Sequence, residues 1–450
     1  MISDVLDRAF VLREATRIHE ALKGSGTAGR RAGRTRPEVV EPEITEALRS
    51  SIVKEMGRGG QQGAGSRRGA APAAATREEP YISSDPIISI VQSALEFYLQ
   101  DPQTVDTIEL DTTNSAVTDW RATKKRSGRR VFEQFSVTDI GWVSSVVAMG
   151  IRKFNDKRPF NMSPAQDLKI ADNCRVVMVG DWGSGIPRAQ KVAMEMRKHV
   201  VDARNQGLEC HVVHLGDVYY SGFEFEYRDR FLPYWPVLPT EADAVRSWCL
   251  NGNHDMYSGG YAYFDYLLTD PRFARQEQSS FFRLSNNHWQ ILGLDTAWDD
   301  DGLKDPQGAW IRDKVANNPQ KTMIMSHHQL FSARENSPDV GKVMRSKLKD
   351  VLDAKKIDSA IWGHEHRCVT YAPHDNIKYG RLIGHGGVPV WADTGPLAAP
   401  GVFQSTKSMG GGVKERFAYM GFAVLDFAEA NIEASYYDED GGLELKEVLN

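Results

Sequence analysis

We predict an α/β fold with a mostly parallel core in several layers, and two features of the sequence indicate it. From about Cys174 onward, short apolar runs alternate with segments of helical periodicity, which is the pattern of strands joined by crossover helices. Five of the apolar runs also end in residues that can bind a metal, and polar side chains in α/β proteins gather at strand ends. The N-terminal region ahead of these runs is predicted to be helical and partly disordered.

Composition excludes several classes of protein. The chain has 450 residues, of which 41% are hydrophobic and 26% charged, with a formal net charge of −5. These values are ordinary for a globular protein, and the charge offers no general basic field for nucleic acid. The first 22 residues lack the apolar core of a secretory signal, and no apolar run reaches the roughly 18–20 residues that span a bilayer. We therefore expect a cytoplasmic protein without a membrane partner.

Residues 1–79 are expected to form a flexible extension with two short helices, at 3–22 and 43–56. The stretches 24–36 and 57–75 are rich in Gly, Arg or Ala and have no periodic apolar face, so we expect a linker and a disordered segment there.

Residues 80–165 are expected to form a helical region that packs on the catalytic domain. Asp85-Pro86 supplies a cap and a first-turn proline for one helix, and 138–154 has the apolar periodicity of another. The segment 121–130 carries six basic residues and no acidic one, which suits either a solvated loop or a phosphate contact.

Elements of the catalytic region follow from short apolar runs and helical periodicities. The predicted strands are 176–179, 211–215, 245–250, 280–284, 289–294, 418–427 and 432–437. The predicted helices start at Pro187 and near Gln307, and a further one covers 342–356. The four scattered cysteines are expected to be reduced and buried.

Five blocks at strand-to-loop junctions contain the potential metal ligands. They are Gly180-Asp181-Trp182-Gly183, His214 to Tyr220, Cys249 to Asp255, Met323 to His328, and Ile361 to His366. One Gly-Asp turn means little, because most such aspartates only cap turns. Five blocks in succession indicate a metal site assembled from separate strand ends.

In this order the blocks resemble the signature blocks of the calcineurin-like metallophosphoesterases, over about residues 175–426. The resemblance implies a multi-layer αββα sandwich, with the catalytic domain at 166–450. It also implies a binuclear metal-dependent phosphoesterase that hydrolyses phosphomonoesters by attack of a metal-bound hydroxide. The substrate would be a phosphorylated small molecule or a phosphoprotein.

The same resemblance assigns a role to individual residues. Asp217 would bridge two metals. Asp181 and His366 would complete the first metal's ligands, and the second metal would be bound by Asn253, His327 and His364.

Histidines beside the ligands receive separate interpretations. His254 would be catalytic and would face the substrate, where it stabilises the developing charge or protonates the leaving oxygen. His385 lies in a glycine-rich turn, and either substrate contact or a plain loop position is open. His328 follows a ligand directly, and alternation along an extended chain would turn it away from the site.

Two departures from the commonest family pattern resemble the purple acid phosphatase branch. Gly183 stands where a metal-binding histidine is usual, and Tyr220 stands where an acidic residue is frequent. In that branch a tyrosinate replaces the missing histidine, so Tyr220 would bind the first metal as Fe(III). The pair would then be Fe with Fe, Mn or Zn. The alternative is that Tyr220 packs beside the site and the ions are Mn, Zn or Fe(II).

Two other functions remain open at this stage. A phosphodiesterase or nuclease would use the same metals, with the basic N-terminal segments gripping nucleic acid. A protein of this fold can also serve as an interaction scaffold, but this would predict eroded ligands, which the sequence does not show. The N-terminal region is also a candidate for binding a protein partner of an active enzyme.

Overall fold

The structure is a computed structural model of the chain. It describes residues 6–25, 42–61, 81–100, 141–335, 337–392, 395–409 and 417–450. The chain divides into two compact units, one with residues 1–157 and 257–259, the other with 158–256 and 260–450. Within the described ranges, no helix has the length and apolar character needed to cross a membrane.

Among its described residues, the first unit contains four helices: α1 (Arg8–Ser25), α2 (Pro42–Gln61), α3 (Pro86–Gln100) and α4 (Gly141–Asn155). Helix α1 contacts the other three, and α2 also contacts α3 and α4. Their apolar faces are buried, as the successive positions Val11, Ala15 and Ile18 of α1 show. The cap predicted for α3 is present, because Asp85 Oδ1 accepts hydrogen bonds from two amides of the first turn.

This unit differs from the predicted flexible extension over residues 1–79. Helices α1 and α2 pack with α3 and α4 because each presents a buried apolar face that the others cover. Helix α2 also continues to Gln61, into the segment predicted to be disordered. The first two residues of the linker predicted at 24–36 belong to α1. The rest of that linker, the remainder of the disordered segment and the basic segment 121–130 lie outside the described residues.

The second unit is built from two β-sheets with helices on their outer faces. The strands are β1 (Leu168–Lys169), β2 (Asn173–Val179), β3 (Glu209–His214), β4 (Val245–Cys249), β5 (Phe282–Ser285), β6 (Trp289–Gly293), β7 (Lys321–Ser326), β8 (Ser359–Trp362), β9 (Cys368–Tyr371), β10 (Tyr379–Ile383), β11 (Gly401–Gln404), β12 (Gly421–Ala428), β13 (Asn431–Asp438) and β14 (Leu443–Leu449). The helices are α5 (Pro187–Asn205), α6 (Glu224–Glu226), α7 (Asn253–Met256), α8 (Tyr261–Asp265), α9 (Gln307–Ala316), α10 (Lys342–Lys347) and α11 (Lys349–Asp353).

One sheet has the order β14-β13-β12-β2-β3-β4, and the other β1-β5-β6-β7-β8-β10-β9-β11. Parallel pairing joins β2, β3 and β4 in the first sheet. It joins β6, β7, β8 and β10 in the second. In the first sheet the parallel block ends at the edge strand β4, and antiparallel strands extend it on the other side. In the second sheet antiparallel pairs flank the parallel block on both sides. Each sheet therefore contains a parallel block, as the sequence predicts.

Alternating side chains of the strands divide the interior into three apolar layers. Val176 and Met178 of β2 point into the layer between the sheets, where they meet Met323 and Met325 of β7. On the other face of β2, Val177 and Val179 pack against the buried side of α5. A third layer joins the second sheet to α9, α10 and α11. The four-layer αββα arrangement confirms the predicted fold class, and all four cysteines are free and buried as expected.

Candidate metal centre

The candidate ligands lie just beyond the carboxyl ends of parallel strands from both sheets. Asp181 follows β2, Asp217 follows β3, and Asn253 begins α7 after β4. His327 follows β7, and the pair His364 and His366 follows β8. The two sheets meet here directly, because the amide of His364 donates a hydrogen bond to Asp181 Oδ2 at 2.7 Å. Strand ends that are distant in sequence therefore form one site, in the position expected for α/β folds.

Four candidate ligands adopt left-handed backbone conformations. The φ angles are 55° at Asp181, 76° at Asp217, 75° at His364 and 49° at His366. Aspartate tolerates this region better than most residues, whereas a residue in a sparsely populated region costs roughly 1–3 kcal/mol. The bends at His364 and His366 turn the chain sharply, so that two histidines only two positions apart both face the site.

The first ligand group consists of Asp181, Asp217, Tyr219 and His366. The Tyr219 hydroxyl lies 3.0 Å from Asp181 Oδ1, 3.1 Å from Asp217 Oδ2 and 3.1 Å from His366 Nε2. His366 Nε2 is also 3.4 Å from Asp181 Oδ1. Three carboxylate or imidazole donors and a phenol therefore converge on one point.

The second ligand group consists of Asn253, His327 and His364. Asn253 Oδ1 lies 3.1 Å from His327 Nε2 and 3.0 Å from His364 Nδ1, and the two histidine nitrogens are 3.2 Å apart. His327 Nδ1 faces the carbonyl oxygen of Leu215 at 2.9 Å, which fixes the ring so that Nε2 points inward.

A single oxygen connects the two groups. Asp217 Oδ2 is within 3.1 Å of the Tyr219 hydroxyl in the first group and 3.4 Å of His327 Nε2 in the second. The other oxygen, Oδ1, accepts a hydrogen bond from the backbone amide of His254 at 2.9 Å. The carboxylate is thus held in place on one side and presents one oxygen to both groups, as a bridging ligand requires.

The tyrosine in the first group is Tyr219, one residue before the one selected from the sequence. Tyr220 is buried as well, and its backbone makes contacts around the site. Its amide donates to the Glu226 carboxylate and its carbonyl oxygen faces His254 Nδ1. The sequence predicts that a tyrosine of this loop lies at the first group. The path of the loop determines which of the two adjacent rings points toward the group.

The electrostatics of the donors favour a positive charge at the shared oxygen. Burial alone would raise the pKa of Asp217, but His327 and His254 hold that pKa well below its ordinary value. Burial would lower the pKa of His327, yet Asp217 raises it to about 9. Burial and the charge of His327 lower the pKa of His364 to about 3, so it is a neutral nitrogen donor. Two carboxylates, neutral imidazole, an amide oxygen and a phenol are the N/O donors that suit two hard or borderline cations.

His254 lies beside both groups without joining either. Its Nδ1 is 2.6 Å from the carbonyl oxygen of Tyr220, so Nδ1 carries the hydrogen and Nε2 is the basic nitrogen. Its ring lies 4.7 Å from the Tyr219 ring. Burial lowers the pKa of His254.

Asp255 supports the loop that carries the shared carboxylate, and the sequence analysis missed it. Its Oδ2 accepts hydrogen bonds from the amides of Asp217 and Gly252, both at 2.7 Å. Its Oδ1 accepts from the Tyr227 hydroxyl. Burial and the charge of Asp217 raise the pKa of Asp255 to about 7. The sequence offered one indication of this role, which is that Asp255 directly follows His254 in the third block.

Two glycines are required by the close approach of the ligands. A Cβ at Gly252 would lie 2.1 Å from Asp217 Oδ1, and a Cβ at Gly363 would lie 2.6 Å from Asp181 Oδ2. Neither distance leaves room for a side chain. Gly363 therefore serves the packing of the first group, and the histidines that follow it make the sharp bend of the chain.

His328 lies closer to the site than the sequence analysis expected. Ring nitrogens of His327, His328 and His364 fall within 4.8 Å of one another. His328 Nδ1 is 3.1 Å from the Thr296 hydroxyl. The alternation argument applied to an extended chain, but β7 ends at Ser326 and the chain bends at both histidines.

His385 is placed differently from the other candidates. Its turn is near the first group, since a Cβ at Gly384 would lie 2.8 Å from Asp181 Oδ2. The ring itself packs against Gly421, and within the described ranges no hydrogen bond reaches either of its nitrogens. Burial lowers the pKa of His385 to about 4. Substrate contact by His385 remains a prediction.

An αββα sandwich with two ligand groups that share a carboxylate oxygen has the form of a binuclear metal site. The family model of the calcineurin-like phosphoesterases matches residues 174–368 of the chain, a range that contains both ligand groups. Over residues 174–368 the chain therefore matches a calcineurin-like phosphoesterase domain, as the five blocks indicated. No curated protein sequence matches the chain.

Several solved structures show a weak likeness to the chain. One is titled GAP50, the anchor in the inner membrane complex of Plasmodium; it is 14% identical, covers 62% of this chain and 89% of its own, and has a TM-score of 0.46. A dimetal phosphatase from Danio rerio is 13% identical, covers 64% of this chain and 99% of its own, and has a TM-score of 0.42. Vps29 from Entamoeba histolytica, complexed with zinc, is 12% identical, with coverages of 61% and 99% and a TM-score of 0.28.

Proposed function

We propose that the protein is a binuclear metal-dependent phosphatase that hydrolyses phosphomonoesters. The observation that supports this most directly is the position of Asp217 Oδ2, shared between two convergent sets of donors. Two cations bound there would neutralise the phosphoryl oxygens and lower the pKa of a bound water. We assign Asp181, Asp217, Tyr219 and His366 to one cation and Asp217, Asn253, His327 and His364 to the other.

His254 is the proposed acid and charge-stabilising group. The Tyr220 carbonyl holds its ring through Nδ1, so Nε2 is the nitrogen available to a substrate oxygen. A proton on Nε2 would be stabilised once an anionic ester is bound, and it would then pass to the leaving oxygen as the ester bond breaks. The protein groups thus position the ester, hold its charge and supply the proton.

The charge around the second group supports a small ester over a polynucleotide. Glu365 lies between His364 and His366, and it interacts electrostatically with Glu335, which in turn interacts with Asp301. The exposed Glu335 carboxylate at this side would repel a nucleic-acid backbone, because like charges destabilise binding. We therefore place the phosphodiesterase or nuclease reaction second.

Metal analysis combined with a panel of esters tests the proposal. We expect two metal ions per chain, and faster hydrolysis of p-nitrophenyl phosphate than of bis(p-nitrophenyl) phosphate. A higher kcat/KM for the diester would favour the phosphodiesterase. Two bound metals with no hydrolysis of either ester would favour a scaffold, and a chain that binds no metal would overturn the assignment of both ligand groups.

A further inference from the structure

The peptide group between Tyr219 and Tyr220 is held by two buried charged side chains from the turns that follow it. Arg230 is 4% exposed, and its Nη1 donates a hydrogen bond to the carbonyl oxygen of Tyr219 at 2.7 Å. Glu226 is completely buried, and its Oε1 accepts a hydrogen bond from the amide of Tyr220. The two side chains therefore hold one peptide group, one through its oxygen and the other through its nitrogen.

The carboxylate of Glu226 also holds the rest of this loop. Its Oε2 accepts hydrogen bonds from the amide of Ser221 at 3.1 Å and from the amide of Phe223 at 2.8 Å. Three amides within four successive residues therefore converge on one side chain. Gly222 lies among them with a φ of 68°, and a Cβ there would lie 2.6 Å from Cα of Asp255. The loop thus packs directly against the backbone of the third block.

The buried pair is better explained by the geometry that it imposes than by stability alone. Glu226 Oε1 and Arg230 Nη1 are 3.6 Å apart, and the guanidinium lies over the ring of Phe225, 5.4 Å from its centroid. Removing two charged groups from water is costly, and well-packed apolar side chains of similar volume are often as stable as a buried ion pair. The hydrogen bonds of both side chains to one loop indicate that they set its direction.

Two functional groups are directed by the peptide group that the pair holds. On its N-terminal side, Tyr219 places its hydroxyl 3.0 Å from Asp181 Oδ1 in the first ligand group. On its C-terminal side, Tyr220 presents its carbonyl oxygen 2.6 Å from His254 Nδ1. A rotation of this peptide group would move both contacts together. The partner of Nδ1 sets the tautomer of a histidine, and the tautomer determines what the other ring nitrogen offers to a substrate.

We propose that Glu226 and Arg230 are positioning residues of the phosphatase reaction. Through the peptide group that they hold, they direct the Tyr219 hydroxyl to the first ligand group. They also keep the hydrogen of His254 on Nδ1, so that Nε2 is presented to the ester. The inference rests on the proposed phosphatase function, and in this role both side chains act through the loop.

The first test measures the tautomer of His254 in the metal-free protein. Nitrogen-15 NMR of histidine-labelled protein distinguishes a ring nitrogen that carries hydrogen from one that does not, and the His254→Gln variant assigns the signals. In the wild type we expect the hydrogen on Nδ1. In Glu226→Gln an NH₂ group replaces one of the two accepting oxygens, so the loop loses at least one of its hydrogen bonds. We expect this variant to lose the single Nδ1–H form and to show signals of both tautomers.

The second test measures kcat for p-nitrophenyl phosphate, with the metal content of every variant. A displacement of about 1 Å in the reacting groups can cost about 10²-fold in rate. Glu226→Gln and Arg230→Met should therefore each lower kcat by about 10–100-fold. Arg230→Lys keeps a charged donor of similar reach and should recover part of the loss seen in Arg230→Met.

Asp229→Asn is the matched control, because Asp229 directly precedes Arg230 but is exposed and pairs with Arg228 at 2.7 Å. Its tautomer and kcat should equal those of the wild type. A lower melting temperature in Glu226→Gln with unchanged tautomer and kcat would show a purely structural role and overturn the inference. If Glu226→Gln does not fold, the two Arg230 variants decide by the same measurements. A wild type that holds two metals and hydrolyses no phosphomonoester would overturn the phosphatase proposal, and the tautomer would still decide whether the pair directs His254.

Discussion

The hydroxyl of Tyr219 lies 3.1 Å from Oδ2 of Asp217, on the same loop and two residues further along the chain. Both groups are fully buried, and burial together with Asp181 and Asp217 raises the pKa of Tyr219 well above its ordinary value. A phenol and a carboxylate so close together are electrostatically unfavourable once both are ionised. A cation between them would make the arrangement favourable. The pair is therefore the most informative part of the site about metal binding.

Asp217→Asn should remove most bound metal and nearly all phosphatase activity. The amide has a single oxygen and no charge, and it cannot serve both groups in place of the shared Oδ2. Metal content by inductively coupled plasma mass spectrometry and kcat/KM for p-nitrophenyl phosphate give the answer.

The matched control is Asp313→Asn, on the exposed side of α9, which should keep both metals and full activity. If Asp217→Asn keeps two metals per chain and normal turnover, Asp217 is not the bridging ligand.

His254→Ala should keep both metals and lower kcat by about 10²–10⁴, the range for an acid–base group. In the structure Nδ1 of the imidazole faces the carbonyl oxygen of Tyr220 and not a metal-ligand group. Metal content and steady-state kinetics distinguish an acid–base role of His254 from a role as a metal ligand. Metal loss as large as in Asp217→Asn would show that His254 is a ligand.

Asp255→Ala should destabilise the metal-free protein, because it leaves the buried amides of Asp217 and Gly252 without an acceptor. Each unsatisfied buried group costs about 1–3 kcal/mol, so a clear fall in melting temperature is expected. Tyr227→Phe removes one donor to the same carboxylate and should have a smaller effect. Equal melting temperatures for the wild type and Asp255→Ala, measured without metal, would contradict this role.

The strand pattern of the catalytic region could be predicted because its strands carry strong local signals. Buried runs such as Val176–Val179 end at glycine turns, and the second unit follows them closely. The first unit was harder to predict. Helices α1 and α2 are stabilised by contacts with α3 and α4, and contacts between segments separated by long stretches of sequence leave no trace in the composition of each segment.

In the candidate site, too, some features follow from local sequence and others depend on contacts across the fold. Blocks of sequence indicate which residue types meet, but side-chain direction at Tyr219, Tyr220 and His328 depends on how the loops bend after the strands end. A shift of one residue changes which ring enters the site. The role of Asp255 depends on a hydrogen bond to the amide of Asp217 in another block, which no single block contains.

The last prediction separates the two tyrosines. If Fe(III) occupies the first ligand group, ionised Tyr219 should bind it, because a trivalent ion strongly favours the phenolate over the phenol. Phenolate-to-iron charge transfer then gives a visible absorption band. Tyr219→Phe should abolish this band in iron-loaded, oxidised protein, because its hydroxyl is the one beside Asp181 and Asp217.

Tyr220→Phe is the control that the sequence supplies, since the neighbouring ring keeps its size and burial and its backbone contacts to Glu226 and His254 do not involve the hydroxyl. The band should survive this change. A band lost in Tyr220→Phe and retained in Tyr219→Phe would return the ligand to the residue first selected from the sequence. A colourless wild type that holds stoichiometric Fe(III) would exclude both tyrosines as ligands.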